Sequence, residues 1–350
     1  MAFLNEVPSL IRRAIRTGTN MHLVGEPGIG KTSVIEQTVA DLVKATPDFW
    51  YGNVYTPSLS PVDFTAMMPD PATSTLKSFH NDRLPNAFLT PDLVGLLFLG
   101  ERDNADPATN KALQKYINNE DMGGLRKPRG VIVVSDSNDI GHRSGAVQQS
   151  LALLSRSCLV FIQQDADVTL KHFSKIDLYP YVQAYLALRR ENISTFDSVI
   201  KNREYRVWAN PRAWERVSDM QRDADAHQET LLADEIIGSV GEAVGREYLA
   251  FLYAAKELVS YDDIVNKPTK AAKPDKLSDV YAITAMLAHS AIPEHMGAIR
   301  TYISRYGSEV QVLFLRLLVS SKSKNMMGCT RTKAFTEWFA QPELRDAVLG

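Results

Sequence analysis

Cysteine is scarce: the 350 residues contain two, Cys158 and Cys329. They lie far apart and outside any Cys-x-x-Cys or Cys/His spacing. That excludes a disulfide framework and a thiolate metal site, and it suits a reducing cytoplasm. Cys158 falls in the apolar run 158–162 and reads as a small buried hydrophobe. No stretch approaches 18 uncharged apolar residues, so no membrane span is expected. Residues 1–16 carry Glu6 and three arginines and lack the apolar core of a signal peptide. Excess charge is also missing: the formal net charge is −2, which argues against coating nucleic acid through bulk charge. There is no repeat of fixed period and no low-complexity tract. Motifs for a Ser/His/Asp nucleophile, a His-Glu-x-x-His zinc site or a Rossmann Gly-x-Gly-x-x-Gly are absent, and the seven histidines are scattered.

What is present is an ordinary globular composition, 45% apolar and 23% charged, enough for a sizeable core. Residues 4–15 place apolar side chains at helical spacing. Short apolar runs follow at 21–24, 54–55 (weak), 94–99, 131–134 and 158–162. Helical patterns at 32–43, 110–117 and 147–154 lie between them. Strands alternating with helices predict βαβ units and a parallel sheet. The continuous runs 96–99 and 132–134 suit strands covered on both faces. After about residue 165 the strand-like runs stop and helical patterns dominate. The expected organisation is an α/β domain over 1–164, a helical domain over 165–262 and a helical extension over 263–350. The lysine- and proline-rich stretch 266–276 reads as an exposed connection.

The strongest local signal is Gly25-Glu26-Pro27-Gly28-Ile29-Gly30-Lys31-Thr32, followed by Ser33. It matches strand–G-x-x-x-x-G-K-[ST]–helix. Glycines let the backbone turn tightly and aim N–H groups at phosphate oxygens. The helix that follows turns its positive end to the same anion. Lys31 can reach the β- and γ-phosphates, and the Thr32 hydroxyl can ligate Mg²⁺. ATP and Mg²⁺ are therefore the expected cofactors.

Nucleotide hydrolysis also needs an acid near the metal and a group that orients water. The end of the run Leu96-Leu97-Phe98-Leu99-Gly100-Glu101 is the candidate. The usual order is four apolar residues, Asp, then Glu. Here Gly100 holds the Asp position. Glu101 remains to polarise the attacking water and to touch the metal through a water. Asp103 is near in sequence but can face away.

At this point the chain resembles the AAA+ family and, within it, the MoxR-like ATPases. The resemblance covers most of the chain. Residues 95–105, 108–116 and 118–123 look like that family's acidic strand, helix and hairpin turn, and 130–138 like its fourth strand. It implies a P-loop parallel five-stranded sheet with helices on both faces, then a helical lid and a helical extension. The fourth strand of the family ends in a polar residue, sensor 1. Asn138 fits best here, with Asp136 and Ser137 as the alternatives. The Leu-Ser-Arg-Ser ending of 148–157 resembles the helix that carries an arginine finger, which implies that Arg156 acts on a neighbouring subunit's nucleotide. Arg143 is a second candidate. Asn210-Pro211-Arg212 resembles the sensor 2 motif of the lid, on a helix that starts at the Asn-Pro cap. The resemblance thus implies a catalytic set of Glu101, Asn138, Arg156 and Arg212 in a homo-oligomeric ring, six being the family's usual number.

MoxR-like proteins are often chaperone-like and commonly work with a partner carrying a von Willebrand A domain. The sequence itself has no Asp-x-Ser-x-Ser. The leading expectation is an ATP hydrolase that remodels or activates a protein partner. One alternative is an ATP-gated assembly scaffold in which Gly100 leaves turnover negligible. A second is a DNA-acting AAA+ protein such as a helicase loader, against which the near-neutral charge speaks.

Overall fold

The apolar runs form the inner strands of a parallel sheet. The computed structural model describes residues 1–79, 81–138, 155–202, 207–321 and 324–349. Its strands are β1 (Ala2–Phe3), β2 (Met21–Gly25), β3 (Trp50–Tyr55), β4 (Ala66–Asp70), β5 (Thr75–Phe79), β6 (Gly95–Gly100), β7 (Val131–Ser137) and β8 (Cys158–Gln163). Six of these make one sheet in the order β1-β8-β2-β7-β6-β3, and every pairing in it is parallel. The expected P-loop α/β architecture is present, with six strands rather than five. The additional strand is β1, two residues that pair with Ile162 and Gln163 at the edge. So short a strand has no periodicity and forms only because β8 offers a template.

β2, β6 and β7 are buried along their whole length. That is the physical reason they read as unbroken apolar runs rather than alternating ones. Leu96, Leu97 and Leu99 are fully buried, and each such side chain contributes about 1.5–3 kcal/mol by leaving water. Helices α1 (Val7–Thr17), α2 (Lys31–Ala45) and α3 (Pro107–Ile117) accompany the sheet. Val7, Ile11, Ile35 and Val39 from α1 and α2 share one core with Leu96, Phe98 and Ile132. Leu113, Tyr116 and Ile117 of α3 share another with Leu97, Leu99 and Val133. Alternate residues of β6 and β7 thus enter opposite cores, as a sheet covered on both faces requires.

Two features depart from expectation. β4 and β5 form a separate antiparallel hairpin with Met67, Met68, Leu76 and Phe79 exposed. Without a buried face it shows no alternation, and Pro69 weakens it further as a sequence signal. Cys158 is exposed rather than buried. It begins β8, whereas β1 covers only the last two residues of that strand. Helix 147–154 lies outside the described residues.

The chain divides into two compact units, Met1–Gln164 and Asp165–Gly350. Among its described residues the second unit is helical. Tyr185, Trp214, Tyr248 and Phe251 meet in its core, with ring centroids 5.0–5.5 Å apart between Tyr185 and each of the others. The same core holds residues on both sides of 262, such as Val182 and Val217 with Leu287 and Phe314. The stretch 266–276 is mostly exposed, as expected, and three of its carbonyls are held by side chains. Arg305 donates to the carbonyls of Pro268 and Ala271, at 3.0 and 2.8 Å, and Tyr302 donates to that of Ala272 at 2.7 Å.

Candidate functional site

The site is built at the carboxyl ends of β2, β6 and β7, where open parallel sheets place their ligands. β2 ends at Gly25, and the loop runs over Glu26–Gly30 into α2. Gly28 and Gly30 take positive φ of 83° and 104°, a conformation a side chain would resist. Ile29 is buried in the core beneath the sheet. Among the predicted loop residues, this one anchors by packing rather than by contact with a ligand. Glu26, Pro27 and Thr32 are half-buried, and Ser33 is exposed.

Lys31 is buried, and its ammonium turns back into the loop. It donates to the carbonyls of Gly25 and Glu26, at 3.0 and 2.8 Å, and to Asn138 Oδ1 at 3.3 Å. Three acceptors around one ammonium fix its place at the loop's mouth. Thr32 Oγ1 donates to Asp136 Oδ2 at 3.1 Å. The other oxygen of Asp136 accepts the Glu101 backbone N–H at 2.9 Å. Burial pushes the Asp136 carboxyl above the usual range, against the lowering effects of the Glu101 N–H, Lys31 and Thr32.

Glu101 follows β6 with φ of 51°, the left-handed region that non-glycine residues adopt at a cost. Its carboxylate is exposed, and Tyr55 OH and Asn104 Nδ2 donate to Oε2 at 3.2 and 3.0 Å. Asp103, which in sequence could face away, is buried with its Oδ2 accepting the Asn138 backbone N–H at 3.2 Å. Burial raises its pKa as well.

The end of β7 obeys the two-residue period of a strand. Ser135 and Ser137 point one way, their hydroxyls 2.9 Å from the two ring nitrogens of His22. Asp136 and Asn138 point the other way, toward Thr32 and Lys31. Of the three sensor 1 alternatives, Ser137 is engaged with His22, Asp136 with Thr32, and Asn138 with Lys31. His22, buried, is held neutral: burial foremost, then the charges of Arg102 and Lys31, lower its pKa well below 6.5. Arg102 is buried too and donates to Ser135 Oγ at 3.0 Å. Burial lowers its pKa to about 10.

Tyr55, Asn104 and His22 did not emerge from the sequence as site residues. Only polar side chains near otherwise apolar runs hinted at them. Arg156 is half-buried and lies just ahead of β8. Cys158 pairs with Met21, the first residue of β2, so Arg156 stands at the opposite end of the sheet from the loop, roughly 13 Å along β2 at 3.3 Å per residue. Arg143 lies outside the described residues. Arg212 belongs to the second unit, exposed in the first turn of helix Pro211–His227. Asn210 Oδ1 caps that helix by accepting the Ala213 N–H at 3.0 Å.

Thr32, Asp136 and Glu101 supply hard oxygen donors, the kind that suits Mg²⁺, and the loop offers an ammonium and a helix N-terminus to phosphate. The residues therefore fit ATP with Mg²⁺. Among the described residues no cluster of three or more His, Cys, Asp or Glu side chains could hold a metal by itself. A metal shared with phosphate oxygens fits that arrangement.

No family model matches the chain, and no curated protein matches it. Solved structures do. The chain is similar to a single-site variant of Thermotoga maritima RuvB at 17% identity and TM-score 0.37, over 76% of this chain and 75% of that one. It is also similar to NtrX from Brucella abortus at 14% identity and TM-score 0.34, over 99% of this chain and 67% of that one. These are likenesses of fold and carry no activity to this chain. Among the described residues no helix is long and apolar enough to cross a membrane.

Proposed function

We propose that the chain binds ATP with Mg²⁺ at residues 25–33 and hydrolyses it, as a MoxR-like AAA+ ATPase. The observation that carries this reading is the convergence of Lys31, Thr32, Glu101 and Asn138 on one loop mouth. Bound Mg²⁺ would spread and neutralise phosphate charge. Lys31 is poised to exchange its carbonyl acceptors for phosphate oxygens. Asn138, already 3.3 Å from that ammonium, follows the same phosphate. Glu101, steadied by Tyr55 and Asn104, orients and polarises the attacking water. Arg156 lies too far along the sheet for its own loop, which supports a ring in which it completes a neighbour's site. Arg212 is the residue through which the helical unit would respond to nucleotide. The work done is remodelling or activation of a protein partner, with a von Willebrand A domain protein as the first candidate.

Steady-state phosphate release tests this. Wild type should turn over, whereas Lys31→Ala and Glu101→Gln should fall at least about 100-fold, the scale for a catalytic acid–base group. A wild-type rate equal to that of Lys31→Ala would sink the enzyme. Glu101→Gln should retain bound ATP and so trap partner protein on purification.

Gly100 favours a second reading, an ATP-gated scaffold, because β6 ends without the acid usual at that position. That reading expects ATP to raise the assembly mass in sedimentation with no phosphate released. Phosphate release by wild type would end it.

A further inference from the structure

Resting on the reading that ATP and Mg²⁺ occupy this loop, we propose that Asp136 orients the metal-binding hydroxyl of Thr32, the task left without a side chain at Gly100. The task has moved one strand toward the loop. β6 and β7 are neighbours in the sheet, and Leu99 pairs with Ser135. Gly100 and Asp136 are therefore the next residues along two parallel strands. β7 is also the strand directly beside β2, so Asp136 stands closer to the loop than any residue of β6 by about 4.8 Å, one strand spacing.

The bonding fits the task. A threonine hydroxyl has one proton and two lone pairs. Thr32 gives that proton to Asp136 Oδ2 at 3.1 Å, which leaves both lone pairs for a cation. The carboxylate cannot turn away, because Oδ1 is held by the Glu101 N–H at 2.9 Å. The left-handed backbone at Glu101 is part of this arrangement, since it belongs to the residue that aims the N–H. Asp136 is thus a positioning residue that acts through Thr32. A purely structural carboxylate would serve as well if it were an amide. Asparagine has the same shape and can still accept from Glu101. Its NH₂ would instead donate to Thr32, and the threonine proton would then point at the metal.

The test measures affinity of the full chain for a fluorescent ATP analogue, in EDTA and in Mg²⁺. The readout is the gain that Mg²⁺ confers, which a structural role would not move. Asp136→Asn should keep its metal-free affinity and lose about tenfold or more of that gain, the scale for a residue that orients a metal ligand. Adding Gly100→Asp to that variant should restore the gain. Among the described residues an added Cβ at Gly100 meets nothing closer than Phe98 Cε1 at 3.6 Å, an ordinary contact, so a side chain can begin there without a clash. Gly100→Asp alone should change the gain less than about twofold, because the task is already filled. An unchanged gain in Asp136→Asn overturns the proposal and leaves nucleotide binding standing. So does a tenfold rise in Gly100→Asp alone, which also decides the matter if Asp136→Asn fails to fold. A wild type that binds no nucleotide with or without Mg²⁺ overturns both readings.

Discussion

β6 and β7 lie side by side, equally buried, and end differently. β6 stays apolar through Leu99 and stops at Gly100. β7 turns polar at Ser135 and remains so through Asn138. The difference shows that burial alone does not mark which strand carries chemistry. A buried strand that ends in three consecutive polar residues must satisfy each of them, and β7, with Asn138 just past its end, does so by dividing them between two faces. One face reaches the loop through Thr32 and Lys31, and the other locks His22 in place.

Substitutions on the two faces should therefore separate function from stability. The largest effect is expected at Asn138, the loop-facing residue next to Lys31. Asn138→Ala should lower turnover by about 100-fold, the scale of losing one preorganised polar contact to developing charge, with little change in thermal stability. Turnover within a few-fold of wild type would refute the division of faces. A smaller effect is expected across the gap on the β6 side. Tyr55→Phe removes the 3.2 Å hydrogen bond to Glu101 and should slow turnover by roughly tenfold, the equivalent of a lost hydrogen bond to a charged group. Phosphate release at saturating ATP measures it, and an unchanged rate would mean that Asn104 alone holds the glutamate. Smaller still, Ser137→Ala should leave the Mg²⁺-dependent gain intact. It strands one ring nitrogen of buried His22, a cost of about 1–3 kcal/mol that denaturant unfolding would show.

These contrasts also define what was legible before the structure. The loop was readable because all its parts are consecutive and glycine has a physical reason to be at Gly28 and Gly30. The inner strands were readable because burial on both faces writes an unbroken apolar run. β3 was faint because most of Trp50–Tyr55 is half-buried or exposed. β1 and the β4–β5 hairpin were invisible, since the first exists only by pairing and the second buries no face. The pairing of Asp136 with Thr32 spans 104 residues and depends on strand register. A carboxylate and an amide two apart at the end of a strand were the available signal. Cys158 misled because its apolar run was read as burying it, whereas among the described residues the start of β8 pairs with β2 alone.

The smallest effect concerns pH and the inward face of β7. His22 is buried between Ser135 and Ser137, with Arg102 and Lys31 as the charged groups acting on it. Its pKa in the folded chain lies well below 6.5. Between that lowered value and 6.5 the unfolded chain binds more protons than the folded one, so stability rises with pH there. The contribution is complete above about pH 6.5, the unperturbed histidine value, and is lost as pH falls. Asp103 and Asp136 run the other way, because burial raises their pKa and their protonation relieves buried charge. A difference measurement removes them, since both acids are present in each protein compared. The excess Tm of wild type over His22→Gln should shrink between pH 7 and pH 5 by roughly 2–4 °C, the shift that about 1 kcal/mol produces in a unit of this size. A difference independent of pH would mean that His22 is not held neutral, and the inward face of β7 would then lose the role assigned to it.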